Sequence, residues 1–119
     1  MALPLFERLG GFAPVSKIVL LFYHKVEESE DLAEYFEDVE MGRLIDHQTK
    51  FIASLMGGPA SYDDATLQRI HEPLEISEQA FDDMAELLQE TLEDFDCSPE
   101  DVATVMHEFR RRRALVVHP

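Results

Sequence analysis

Cysteine is almost missing from this chain: Cys97 stands alone among 119 residues. That excludes an intramolecular disulfide. The fold must be held by its own core, and a reducing compartment, the cytoplasm, is the expected location. Long apolar runs are missing too. The longest, Ile18 to Tyr23, is far too short to span a bilayer, and no basic-plus-apolar signal pattern opens the sequence. Cations are scarce: Lys plus Arg number 10 against 25 Asp plus Glu, a net charge of −15. Only Lys17, Lys25 and Lys50 are lysines, and Arg110 to Arg113 form one block. Such a body repels nucleic acid and anionic membranes, so neither is expected as a partner. Its acidity suits solubility or a salty cytoplasm. Strand-type alternation, internal repeats and linker composition are also missing. What remains is one all-α domain over residues 1–119, with an apolar fraction of 45% that is ordinary for a globular core.

The helices follow from period and punctuation. Residues 3–10 give a short apolar opening closed by the turn pair Gly10-Gly11. Pro14 stands where a first helical residue is favoured, and Val15, Val19, Phe22, Tyr23 and Val26 then share one face. Acidic breaks flank a short turn, Leu32 to Phe36. A second long helix runs from about Met41 to Met56, with Leu44, Gln48, Phe51, Ile52 and Leu55 as its stripe and His47 on the flank. Gly57-Gly58-Pro59 ends it. Ser77 caps a third long helix with Phe81, Met84, Ala85, Leu88, Leu92 and Phe95 on one side. Ser98-Pro99-Glu100-Asp101 starts the last, which carries Val102, Val105, Met106 and Phe109 before the arginine block. Those arginines favour the helix dipole and pair with the acidic surface.

Four polar groups lie within or beside the apolar stripes. His71 lies four after Leu67 and three before Leu74. Pro73 lacks an N–H and its ring would clash with the carbonyl of Arg69, so His71 belongs to the last turn of a short helix. Two readings stand: a hydrogen-bonded core histidine, or the axial ligand of a flat metal cofactor. Tyr23 lies inside its apolar stripe, as either a core tyrosine or a donor aimed at a ligand. Gln48 puts an amide at the centre of a buried face, which costs unless the amide is hydrogen-bonded. His47 borders the same face.

The ordered set Leu5-Phe6-Glu7-Arg8-Leu9-Gly10-Gly11, Phe22-Tyr23-His24-Lys25-Val26, Tyr35-Phe36, His47-Gln48 with Phe51, Gly57-Gly58-Pro59, Tyr62, His71 and Phe81-Asp82 resembles the truncated haemoglobins of group I. It runs from residue 4 to about residue 110. The resemblance implies a two-over-two helical sandwich enclosing haem b (iron protoporphyrin IX), with a barely formed first helix and a mostly non-helical stretch before the proximal helix. It implies His71 as proximal iron ligand and Tyr23 as the distal tyrosine facing bound gas. Leu44, His47 and Gln48 match distal-helix positions facing the haem. Phe36 matches the aromatic on the porphyrin face, with Phe22 and Phe51 as neighbours. Some relatives use a histidine at the position of His47 as sixth iron ligand; a bond to a haem propionate and a solvent-facing place are the competing roles.

The implied function is binding of dioxygen, nitric oxide or carbon monoxide at a five- or six-coordinate iron, for transport or storage. Nitric oxide dioxygenation or related redox turnover, with a reductase partner, belongs to the same expectation, as does a monomer or weak dimer. The alternative from another class is a non-haem globin-like interaction or sensory module in which His71 is only core. The chain departs from the family pattern in loops: Asp64 stands where a glycine is frequent, and the link Glu93 to Cys97 has none. His107 comes too early, and His118 too late, to match the last-helix histidine that bonds a haem vinyl in some relatives, so no covalent link is expected.

Overall fold

The structure, a computed structural model, describes residues 3–37, 39–58, 65, 68, 69 and 75–117. A five-residue helix, α1 (Leu5–Leu9), ends at Gly10 in the left-handed conformation (φ 109°) and leads into α2 (Phe12–Glu28). A short α3 (Glu30–Ala33) continues as a 3-10 turn, Glu34–Phe36. Then come α4 (Met41–Leu55), α5 (Glu78–Asp94), α6 (Pro99–Arg110) and a final turn, α7 (Arg113–Val116). A single parallel bridge joins Ile76 to Val117, and no strand forms among the described residues.

The stripes read from the sequence are the faces that the fold buries. Val15, Val19, Phe22, Tyr23 and Val26 of α2 are all buried, as are Val102, Val105, Met106 and Phe109 of α6. Helix α2 packs on α4, and α5 packs on α6; α2 also lies against α5, and α4 against α6. This is the expected all-α, two-over-two sandwich.

Two helix starts behave as expected. The Ser77 hydroxyl accepts from the Ala80 N–H at 3.1 Å, and the Ser98 hydroxyl from Asp101 N–H at 3.2 Å. Two others correct the sequence reading. Helix α2 begins at Phe12, so Pro14 is its third residue, not its first. A proline is tolerated there because N–H groups of the first turn have no helical partner in any case. The link ending in Glu40 is also more than an acidic spacer. Its carboxylate accepts from the N–H groups of Gly42 (3.0 Å) and Arg43 (2.7 Å), capping α4.

The scarce cations tie helices together. Arg8 makes a two-pronged bond to Asp101 (2.7 and 2.8 Å), joining α1 to the start of α6, and holds that carboxyl below its usual range. Lys25 reaches Glu90 (3.1 Å) and Asp94 (2.7 Å), joining α2 to α5.

The end of α4 needs its glycines. Gly57 has φ +83°, and a Cβ on Gly58 would lie 2.8 Å from the Ala53 carbonyl oxygen and 2.9 Å from the Phe6 ring. That close approach lets the Phe6 N–H donate to the Met56 carbonyl at 3.1 Å and docks α1 on α4. Gly58→Ala is expected to lower stability by about 1–3 kcal/mol, as overpacking does. The check is the urea midpoint, which should fall at constant m value; an unchanged midpoint would show that the α1–α4 junction is slack.

Candidate functional site

Between the two helix pairs lies a cleft enclosing about 770 Å³, part of it open to solvent. The upper pair supplies Phe22 and Tyr23 from α2, Leu44, Gln48 and Phe51 from α4, and Phe36 from the turn between them. The lower pair supplies Phe81 and Met84 from α5 and Phe109 from α6. Ile76, Arg112 and Val116 complete the lining at the chain's C-terminal end. Such a concave, mostly apolar site with few polar groups is the ordinary form of a small-molecule or cofactor pocket.

Helical spacing brings the polar pair in. On α2, the stripe that buries Val15, Val19 and Val26 carries Phe22 and Tyr23 with it. Tyr23 is only 3% exposed. Its ring meets Phe22 edge-on at 4.9 Å and Phe36 edge-on at 5.4 Å. Its hydroxyl makes no hydrogen bond to any described residue. The buried threonines behave differently: Thr49 and Thr91 each donate to the carbonyl four residues back, at 2.7 Å. Burial pushes the Tyr23 phenol well above its ordinary value, so it keeps its proton and stands as a donor facing the cleft. Gln48 is half-buried on the same wall, and its amide also makes no hydrogen bond to a described residue.

Of the residues singled out from the sequence, Phe22, Tyr23, Phe36, Leu44, Gln48 and Phe51 come together here. His47 does not line the cleft; it lies on the exposed flank of α4. His71 and Tyr62 lie outside the described residues. His107 is exposed on α6, away from the cleft. The sequence reading did not select Ile76, Met84, Phe109, Arg112 or Val116 as site residues. A signal existed for three of them: Phe109, Arg112 and Val116 recur at intervals of three and four, so one arginine of the block falls on the apolar face.

A profile of the bacterial-like globin family matches residues 4–117. The group 1 truncated hemoglobin of Tetrahymena thermophila is 30% identical over 109 residues, covering 89% of this chain and 90% of the relative. The chain belongs to the truncated haemoglobins of group 1. The group 1 truncated hemoglobin of Synechocystis is 32% identical over 102 residues, covering 82% of each chain. Among solved structures, the truncated hemoglobin of Tetrahymena pyriformis in its Fe(III) form superposes with a TM-score of 0.87 at 25% identity, over 98% of this chain and all (100%) of that one. The 2/2 hemoglobin of Synechococcus, solved in the cyanomet state with covalently attached heme, gives 0.83 at 26% identity, over 96% of this chain and 98% of that one. In this truncated haemoglobin, then, the cleft between the helix pairs is lined by Tyr23 and Gln48, two donors that bond no described residue.

The buried ring of Tyr23 has a pH signature. The unfolded Tyr23 phenol titrates near its ordinary value of 10.0, whereas the folded one titrates higher. Below about pH 10 both states hold the proton. As pH rises past that value only the unfolded state loses it, so folding stability falls. Urea midpoints of the haem-free protein between about pH 9 and 11 should therefore fall more steeply than those of Tyr23→Phe. Equal falls would show that the hydroxyl is open to water.

Proposed function

We propose that this truncated haemoglobin holds haem b in the cleft and binds diatomic gases, dioxygen first among them. The carrying observation is Tyr23: its ring is buried in the aromatic wall of the cleft, and its protonated hydroxyl, with no hydrogen bond to a described residue, opens on the cleft. A hydroxyl donor that opens on the cleft can bond an acceptor held there.

The lining fits the group. Phe36, Phe22 and Phe51 on one side and Phe81, Met84 and Phe109 on the other offer apolar faces to a flat macrocycle. His71, as the family's proximal position, would hold the iron through a neutral imidazole. Haem would supply an iron with an open coordination position for a gas. The chain's own part is polar and steric. Tyr23 and Gln48 donate hydrogen bonds to a ligand atom bearing partial negative charge, and the phenylalanines keep water from competing for those donors. His47 is the proposed sixth ligand in the gas-free state. From its exposed place on α4 it reaches inward only if the helix rotates, and ligation then lowers apparent gas affinity by the fraction of closed state.

Transport or storage is one proposed use. Nitric oxide dioxygenation or related redox turnover is a second; it requires a reductase to return iron to the ferrous state. A cytoplasmic location and a monomeric or weakly dimeric state complete the reading. It agrees with the finding that no helix among the described residues is long and apolar enough to cross a membrane. The non-haem interaction or sensory module is less well supported, because it gives no role to the Tyr23 and Gln48 donors at the cleft wall.

Two experiments test the proposal. The purified chain should take up haem and show an intense Soret band. His71→Gly should lose stable haem or its five-coordinate spectrum, with imidazole restoring it, and low-spin bis-histidyl bands of the gas-free protein should vanish in His47→Ala. A colourless protein that takes up no haem sinks the reading, and an unchanged spectrum in His71→Gly sinks the proximal assignment. Second, Tyr23→Phe should raise the dioxygen off-rate about tenfold, as expected for a hydrogen bond to a charged acceptor. Adding Gln48→Leu should give a non-additive further rise, since both donors share one ligand. Unchanged off-rates would place both side chains away from the gas.

A further inference from the structure

The last turn of the chain walls the cleft without belonging to the core. Helix α7 has four residues, too few to stand alone in water, and none of them is fully buried. Its own bonds are local: the Leu115 N–H donates to the Arg112 carbonyl at 3.0 Å and the Val117 N–H to the Arg113 carbonyl at 2.9 Å. Yet Val116 lines the cleft, together with Ile76 and Arg112.

The ties that hold this turn down are few and different in kind from those of the sandwich. Just before it, Arg112 is tied back to Glu108 at 2.6 and 3.0 Å, which anchors the turn to α6. At its start, Arg113 pairs with Asp82 of α5. The Arg113 guanidinium also lies over the Phe81 ring, 4.7 Å from its centroid, and Phe81 stacks on Phe109 at 5.1 Å. At its end, Val117 bridges to Ile76, two residues before α5 begins. The long helices are held by buried apolar faces, whereas both partners of the Asp82–Arg113 pair are partly exposed. A segment attached in this way opens locally at a much lower cost than global unfolding. Salt screens an exposed pair, so the opening responds to ionic strength. Lifting α7 parts Val117 from Ile76 and takes Val116 out of the wall, while Val19 and Val26 of α2 stay covered.

We propose that α7 is a latch on the cleft: the Asp82–Arg113 pair and the Ile76–Val117 bridge keep its C-terminal end shut, and haem enters and leaves when the latch lifts. This rests on the haem reading above. It gives a function to Asp82 and Arg113, neither of which lines the cleft.

The test loads haem into the full chain and follows its transfer to excess apomyoglobin by absorbance, with amide hydrogen exchange measured on the same loaded chain. Wild type should lose haem about threefold faster in about 1 M than in about 0.01 M sodium chloride, the size of effect an exposed ion pair supplies. Asp82→Asn and Arg113→Met should each lose haem at the fast rate in low salt and show no further rise in high salt. The double variant should be no faster than either single one, since both remove the same pair. The Leu115 and Val117 amides should exchange faster by the same factor, and those of Val19 and Val26 at the wild-type rate. Faster α7 exchange with unchanged haem loss would overturn the latch, as would faster haem loss with unchanged α7 exchange. Acceleration of the α2 amides along with those of α7 would mean general loosening and overturn it too. Failure to take up haem would instead remove the haem reading, and the latch with it.

Discussion

The structure depends on where one phenol is held. Tyr23 sits on the face of α2 that also carries the core, so its ring cannot turn to solvent without uncovering Val19 and Val26, both fully buried. Phe22 and Phe36 meet its ring edge-on, at interplanar angles of 64° and 82°, the arrangement that aromatic quadrupoles favour. The hydroxyl is left facing an apolar space. The interior pairs the hydroxyls of Thr49 and Thr91 within their own helices, and among the described residues no buried side-chain nitrogen or oxygen lacks a partner. The Tyr23 hydroxyl bonds no carbonyl of a described residue and opens on the cleft. The fold thus leaves a donor at the wall of the cleft.

Holding that donor still requires α2 to be held still. Its buried face does most of this through α4 and α5, since burial of Val15, Ile18, Val19 and Val26 is nearly complete. Ionic ties add direction. Lys25 bridges α2 to two acids of α5, and Arg8 locks α1 to the head of α6. These pairs lie near the surface, where screening by salt weakens them, so they set register more than they set stability. With 25 acids and 10 cations, every cation has a choice of partners, and the chain spends several of its few on contacts between helices.

How much of this was legible beforehand differs from element to element. The four long helices and the Ser77 and Ser98 caps follow from apolar period and cap chemistry, which are local. Tyr23 and Gln48 were visible because each breaks an apolar stripe at its centre. His47 was legible only as a flank residue, and its exposed position agrees with the flank; the choice between ligand, rim and solvent roles depends on a helix rotation that no periodicity encodes. The start of α2 was misjudged because Pro14 is compatible with more than one first-turn position. The Glu40 cap was missed because a carboxylate in an acidic run reads as solvated unless the backbone trajectory is known. Arg112 was hidden by its neighbours: in a block of four arginines, composition says "surface", and only the two-residue turn between α6 and α7 decides which one points inward.

The placement of polar groups around the cleft gives it a direction. Tyr23 and Gln48 come from the α2–α4 pair, while Arg112 comes from the far end of the α5–α6 pair, so donors of opposite character enter from opposite layers. The first two are neutral dipoles that favour partial negative charge on a small ligand. The third is a full charge already paired with Glu108. Between them the lining is aromatic or aliphatic. A wholly apolar guest would leave Tyr23 and Gln48 without use, and a wholly polar one would strip water from itself against phenylalanine. The guest that suits these walls is flat and apolar in its body and able to present an electron-rich atom above its face. Those demands are independent of sequence resemblance, and a gas-binding porphyrin meets each of them.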